Sequence, residues 1–336
     1  MNIQCMRVIV VVCCIVYNTP VLAITLVPPI LPPDEGYCFI QNYVDVSPMQ
    51  GGQDFHTRSR SYSRHKGTDF RVSYDAMLAG VDVVAAADGR VLRTRDEMKD
   101  VYFSSGESNV AGRECGNGVV IDHGDGWHTL YCHLKKDSVL VKAGDVVKAG
   151  SVIGQVGLSG KTEFAHIHFQ VSRDGEIVCP FSGACMGAMA AGRCKLFVQH
   201  PSQEPLWEDS SEEVLQYVPS QVLRAVYLNS RPHSAQEILQ RPNSVNVLKS
   251  GHMPLVFSAV TAMLQEGDML ILELKTVEGI LLAEKTVHIT HYTAQRYDYI
   301  GKKDSSQYAG TILEGYVVLR RNGAQVFEHR ARMVVQ

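Results

Sequence analysis

The sequence predicts an all-β protein, an antiparallel-sheet domain over residues 37–178 followed by a small β-sandwich over 250–336. Three observations predict it. Short apolar segments punctuated by tight-turn glycines run through "GVDVVAAADGRVLRT", "GNGVVIDHGDGWHTLYCHL" and "VKAGDVVKAGSVIGQVGLSG". Helical periodicity is absent from that region. From about residue 253, apolar and polar residues alternate through "DMLILELKTV", "LLAEKTVHIT" and "TILEGYVVLRRNGAQVFEHRARMVV", where Asn322-Gly323 marks a hairpin.

The remaining segments follow in order. Residues 1–23 have the layout of a secretory signal peptide: a basic start, the apolar run "VIVVVCCIVY", and small residues Val21 and Ala23 before a cut. That run is too short to span a bilayer. The mature chain is therefore expected to begin near Ile24, without a transmembrane anchor. It is expected to be exported, to the periplasm of a Gram-negative envelope and otherwise outside the cell. Residues 24–36 are a proline-rich lead-in. Residues 179–249 read as a cysteine-containing linker in which "SSEEVLQYV" and "SAQEILQRP" form short helices.

Six cysteines follow the leader: Cys38, Cys115, Cys132, Cys179, Cys185 and Cys194. An even number in an exported chain reads as disulfides, and their connectivity is open. Cys115 with Cys132, flanking a hairpin, is the favoured pair, and Cys185 with Cys194 the next. The leader removes one Arg and no acid from 32 basic and 35 acidic residues, so the mature charge is 31 − 35 = −4. Nothing here tracks phosphates, and nucleic acid is excluded as a partner.

Two fragments carry candidate ligands. "SRHKGTDFRV" holds His65 and Asp69 around Gly67, where a turn brings both side chains to one point. "FAHIHFQV" holds His166 and His168, which share one face of a strand while Ala165, Ile167 and Phe169 share the other. A catalytic zinc usually takes three protein ligands and leaves one position open. In "HTLYCHL", regular alternation puts Trp127, Thr129, Tyr131 and His133 on one face and Cys132 on the other, so Cys132 reads as a core or disulfide residue. His288 and His291, three apart, face opposite sides and read as structural.

In that order, "HKGTD", "YCHL" and "HIHF" resemble the three motifs of the LytM (lysostaphin-like) zinc endopeptidases, and the resemblance covers about residues 38–178. It implies a LytM-type sheet domain binding one Zn2+ per chain through His65, Asp69 and His168. It further implies that the zinc activates a water and that His133 and His166 serve as unliganded acid–base histidines. The implied substrate is the peptide stems of peptidoglycan, cut at a cross-link, with D-Ala–diaminopimelate the expected bond in a Gram-negative envelope. The sandwich would then meet an envelope partner. A glutamate base is not on offer, because no His-Glu-x-x-His occurs. "TEFAH" stands where the family often has a small residue and Pro, and Cys132 is unusual in the second motif.

Three other readings compete. A catalytically silent LytM-type activator of amidases would not need all five site residues. A lipoyl- or biotin-type hammerhead, suggested by "VKAGDVV", lacks its acceptor-lysine setting. A structural zinc would want a fourth ligand, for which His123 and His128 are the nearest spare histidines.

Overall fold

The structure is a computed structural model that describes residues 24–336 apart from 48–50, 104–109, 187–203, 210–211, 242–246 and 249–250. The expected signal peptide and Cys194 lie outside the described residues.

The strands of the first half are β1 (Cys38–Asn42), β2 (Thr68–Val72), β3 (Asp82–Val84), β4 (Gly89–Arg95) and β5 (Asn117–Gly124), then β6 (Trp127–Leu134), β7 (Val146–Val147), β8 (Val152–Gln155), β9 (His166–Arg173) and β10 (Glu176–Val178). Eight of them form one antiparallel sheet in the order β1-β2-β9-β6-β5-β4-β7, with β10 paired to β9. The β3–β8 pair forms a small second sheet. One face of the large sheet is apolar. Val119, Ile121, Tyr131, Ile167, Phe169 and Val171 are all fully buried, packed with Val83, Ala85 and the lead-in residues Leu26 and Ile30. Each such aliphatic or aromatic side chain contributes about 1.5–3 kcal/mol on leaving water. This face anchors the strands, and the opposite face is left to carry the site.

The second half comprises β11 (Gln221–Leu228), β12 (Val247–Leu248), β13 (Leu255–Leu264), β14 (Met269–Thr276) and β15 (Leu281–His288), then β16 (Thr293–Lys302), β17 (Ile312–Arg321) and β18 (Ala324–Val335). A three-stranded sheet β11-β13-β16 packs on a five-stranded sheet β12-β18-β17-β14-β15, with Phe257, Leu272, Leu274 and Val317 in the shared core. The result is the expected sandwich. β13 is buried at every position. One of its faces, with Leu255 and Phe257, meets the five-stranded sheet. The other, with Val256 and Val260, packs with Phe39 of β1 and with Ile238 and Leu239. A strand covered on both faces needs apolar residues throughout, which is why "LVFSAVTAML" does not alternate.

A short helix over Tyr74–Ala79, capped by the Ser73 side chain, lies in the region expected to lack helices. Two further expectations differ from the structure. The segment 179–249, read as linker, contains β11, whose Val222–Leu228 register on Val256–Thr261 makes it a sandwich strand. "QVLRAVYL" alternates imperfectly because Leu223 and Leu228 lie on the side toward Phe39 while Tyr227 faces the sandwich core. Ala235–Leu239 is a helix capped by the Ser234 side chain, and "SSEEVLQYV" supplies a single 3-10 turn at Glu213–Leu215. The cysteines are the second difference. Cys115 and Cys132 are bonded, and Cys185 is bonded although Cys194 lies outside the described residues. Cys38 and Cys179 are thiols, contrary to the even-number reading, and burial pushes the Cys38 thiol up to about 12. Each fills apolar packing, where a thiol behaves as a small hydrophobe.

Among the described residues, no helix is long and apolar enough to cross a membrane.

Candidate active site

Five side chains converge at the β2–β9 pairing. Asp69 and His168 are register partners on adjacent strands, so one sheet row carries both. His65 enters from the loop before β2. The three ligand atoms are close: His65 Nε2 lies 3.1 Å from Asp69 Oδ1 and 3.2 Å from His168 Nδ1, and the latter two lie 2.8 Å apart. These residues are the one group among the described residues with the spacing of a metal site.

The donor chemistry fits zinc. Ligands at about 2.0–2.1 Å from a tetrahedral zinc stand about 3.3 Å from one another. The observed separations approach that value, and two imidazoles with one carboxylate are donors that zinc accepts. The far atoms are also held. His65 Nδ1–H donates to the Tyr43 carbonyl at 2.8 Å, which leaves Nε2 as the lone-pair nitrogen. Asn42 Nδ2 donates to Asp69 Oδ2 at 2.9 Å, which leaves Oδ1 for the centre. Burial pushes the Asp69 carboxyl up, but the neighbouring His65 and His166 outweigh it and hold the group well below the usual carboxylate range.

Gly67 is required by close approach. A Cβ there would lie 2.6 Å from Cε1 and Nε2 of His168 and 2.7 Å from the Phe169 carbonyl. The "HKGTD" turn thus tolerates no side chain at Gly67, between His65 and Asp69.

His133 and His166 stand beside this group, with ring centroids 4.7 Å apart. His133 Nδ1–H donates to the Ser159 carbonyl at 2.8 Å, and His166 Nδ1–H to the Phe164 carbonyl at 2.9 Å. Both therefore present Nε2 as an acceptor. Burial, reinforced by His166 and His168, holds the His133 imidazolium well below the usual histidine range. Burial likewise pushes His166 down to about 4. Both rings are neutral at pH 7.

Regular alternation would send His133 into the core beside Tyr131, but the structure sends it to the site. Its φ is +64°, a left-handed conformation costing a non-glycine residue about 1–2 kcal/mol. Bonds from His133 N to the Cys115 carbonyl (2.8 Å) and from Gly157 N to the His133 carbonyl (2.9 Å) hold the turned backbone. Cys132 keeps its strand register opposite His168 and closes the bond to Cys115.

Several site residues had no signal in the sequence. Asn42, Ser159 and Thr162 act through a distant amide, a backbone carbonyl and a hydroxyl 3.1 Å from His166 Nδ1, none of which forms a spaced motif. Tyr62, half-exposed, stacks on His65 with centroids 4.4 Å apart and walls the approach to the centre. His123 and His128 do not join the group. His123 bonds the Asp88 carbonyl and the Thr129 hydroxyl, and His128 bonds the Gly126 carbonyl.

Residues 63–180 match Peptidase family M23. Among curated relatives, an uncharacterized metalloprotease of Haemophilus influenzae is 35% identical over 139 residues, 40% of this chain and 25% of the relative. The peptidoglycan DD-endopeptidase ShyA of Vibrio cholerae is 34% identical over 116 residues, 34% of this chain and 22% of ShyA. The chain thus spans about a quarter of the length of these relatives. Among solved structures, the catalytic domain of lysostaphin from Staphylococcus simulans is 23% identical, covering 41% of this chain and 85% of that one, with a TM-score of 0.27.

Proposed function

We propose that this chain is an exported zinc endopeptidase that hydrolyses peptide cross-links of peptidoglycan. The observation that carries the reading is the convergence of His65, Asp69 and His168 with two neutral, carbonyl-oriented imidazoles. The similarity of its M23 segment to ShyA, a peptidoglycan DD-endopeptidase by name, supports the substrate class. The signal-peptide layout of residues 1–23 and the Cys115–Cys132 bond support an exported protein, since disulfides persist outside the reducing cytosol.

In this reading His65 Nε2, Asp69 Oδ1 and His168 Nδ1 hold one zinc. When bound, the metal supplies Lewis acidity, which polarises a carbonyl and acidifies water. The remaining work falls to the side chains. Neutral His166 and His133 offer Nε2 lone pairs to the proton of the attacking water, and the resulting imidazolium returns that proton to the leaving amine. The carbonyls of Ser159 and Phe164 keep both tautomers in register for this exchange. Asn42 and Tyr43 keep the ligand atoms aimed inward. In a Gram-negative envelope the bond cut is D-Ala–diaminopimelate.

Mass spectrometry of muropeptides digested by the pure protein tests the reading. The expected result is loss of cross-linked dimers, abolished by a chelator and restored by zinc. Intact dimers after digestion with zinc, together with stimulation of a separate amidase by the zinc-free protein, would replace the enzyme with an activator.

A further inference from the structure

The candidate centre sits in a sheet row that continues across the molecule. Asp69 pairs with His168, His168 with Cys132, Cys132 with Gly118, and Gly118 with Arg95 on β4. Register partners share a face, so the site and the β4 side chains look the same way. The neighbouring row repeats the pattern: Gln170 pairs with Leu130, Leu130 with Val120, and Val120 with Arg93. In the third row Asp122 pairs with Arg90. On the core side Val119, Ile121 and Tyr131 are fully buried, whereas Leu130, Gln170 and Arg93 reach solvent. The face is therefore open from β9 to β4 along the row of Gln170, Leu130 and Arg93, whereas in the site's own row Cys132 is buried and bonded to Cys115, whose sulfur lies over Gly118.

This face is concave. Two cavities of 340 Å³ and 300 Å³ adjoin along it and share Arg93, Val120 and Leu130 in their walls. The floor is apolar or without side chains, at Leu130, Val120 and Gly118. The far wall is cationic. Arg95 gives one amine to the Gly116 carbonyl and Arg90 one to the Gly144 carbonyl. Arg93 is exposed, and its guanidinium makes no hydrogen bond or ion pair to the described residues. Arg113 nearby is paired with Glu97. The two acids bordering the trough, Glu114 and Asp122, accept from the backbone N–H groups of Gly112 and Gly124. Arg90 and Arg95 keep their charges beside neutral carbonyls, as Glu114 and Asp122 do beside backbone N–H groups, and Arg93 is the trough guanidinium with no hydrogen bond to the described residues.

We propose that this trough seats an extended acidic peptide and that Arg93, flanked by Arg90 and Arg95, binds its free carboxylate. The inference rests on the endopeptidase reading and names a specificity-determining residue for it. Three strand spacings of about 4.8 Å separate β9 from β4, about 14 Å in all. An extended peptide covers that distance in about four residues at roughly 3.5 Å each. The carboxylate recognised is thus about four residues from the scissile bond. A guanidinium suits a carboxylate by its planar two-pronged donor geometry.

The test is binding by the metal-free full-length chain, so that no turnover intervenes. The probes are two cross-linked stem-peptide dimers, one with free carboxylates and one with those carboxylates amidated, titrated by calorimetry. The free acid is expected to bind about fivefold more tightly, within the range of a partly solvated charge-assisted pair. Arg93→Gln is expected to erase the difference, and Arg93→Glu to invert it. Arg93 is exposed, so neither variant disturbs the core. Equal affinity for both peptides, a preference that survives Arg93→Gln, or no binding of either peptide overturns the proposal. Cleavage of muropeptides by the zinc-loaded wild-type chain is scored separately, so the endopeptidase reading stands or falls on its own result.

Discussion

Asp69 Oδ1 and His168 Nδ1 stand 2.8 Å apart because the two residues are direct partners across β2 and β9. The antiparallel register alone brings together two residues 99 positions apart. His65 then needs only a four-residue turn to reach them.

The first expected outcome follows from that triangle. The wild-type chain should bind one zinc, and His168→Ala should lose it, because two ligands remain of three. Elemental analysis after dialysis reads the stoichiometry. Full occupancy in the variant would refute the ligand set.

Catalysis should separate from binding. His133→Ala and His166→Ala are expected to retain zinc while turnover falls about 10²–10⁴-fold, the usual worth of general acid–base help. Hydrolysis near the wild-type rate in both would remove the imidazoles from the mechanism.

Support of the ligands is a third measurable quantity. Asn42→Ala frees Asp69 Oδ2 and should weaken zinc binding about tenfold, as loss of a metal's outer hydrogen bonds commonly does. Gly67→Ala should do at least as much, because the new methyl meets the His168 ring. A competition titration with a chromophoric chelator reports both. Unchanged affinity would mean that neither residue orients a ligand.

The metal-free chain should lose stability in acid. His166 has a folded pKa of about 4, against roughly 6.5 when unfolded. Between those values the unfolded state binds the extra proton, so stability falls as pH drops from about 6.5 to about 4 and levels off below. Denaturant midpoints at pH 7 and pH 4.5 test the sign, and His166→Gln should lessen the dependence, leaving the part that the likewise depressed His133 contributes. An equally steep fall in that variant would assign the effect elsewhere.

The Cys115–Cys132 bond closes a 17-residue separation. Replacing both by Ser should cost about 3 kcal/mol, the loop-entropy value for that length. It should also loosen His133, whose N–H bonds the Cys115 carbonyl. The expected pair of results is a lower melting temperature and reduced turnover with zinc retained. Loss of zinc instead would make Cys132 part of the centre.

Much of this was legible in the sequence. Period-2 alternation in "HIHFQV" announces both the buried face of Ile167 and Phe169 and the shared face of His166 and His168, because strand geometry is set locally by the backbone. Turn glycines mark the hairpins for the same reason. Three spaced motifs named the five histidine and aspartate residues. Strand β11 was missed because β11 lies in a sheet covered on both sides, by the five-stranded sheet and by Phe39 with the 235–239 helix, and so shows no clean alternation. The free thiols of Cys38 and Cys179 were also missed, since a count of cysteines carries no distances.

What only the tertiary structure decided is how side chains far apart in sequence meet. The left-handed turn at His133 overrides the alternation that "HTLYCHL" predicts, and it is held by bonds to Cys115 and Gly157, which no local pattern contains. Asn42, Ser159 and Phe164 orient Asp69, His133 and His166 through contacts fixed by register and loop closure rather than by residue spacing. The row from Asp69 to Arg95 crosses β2, β9, β6, β5 and β4, an order unlike that of the chain. Sequence determines each strand's two faces, because a side chain's direction depends on its own backbone; which strands become neighbours depends on burial of the whole apolar face at once, and that is settled only when the sheet assembles.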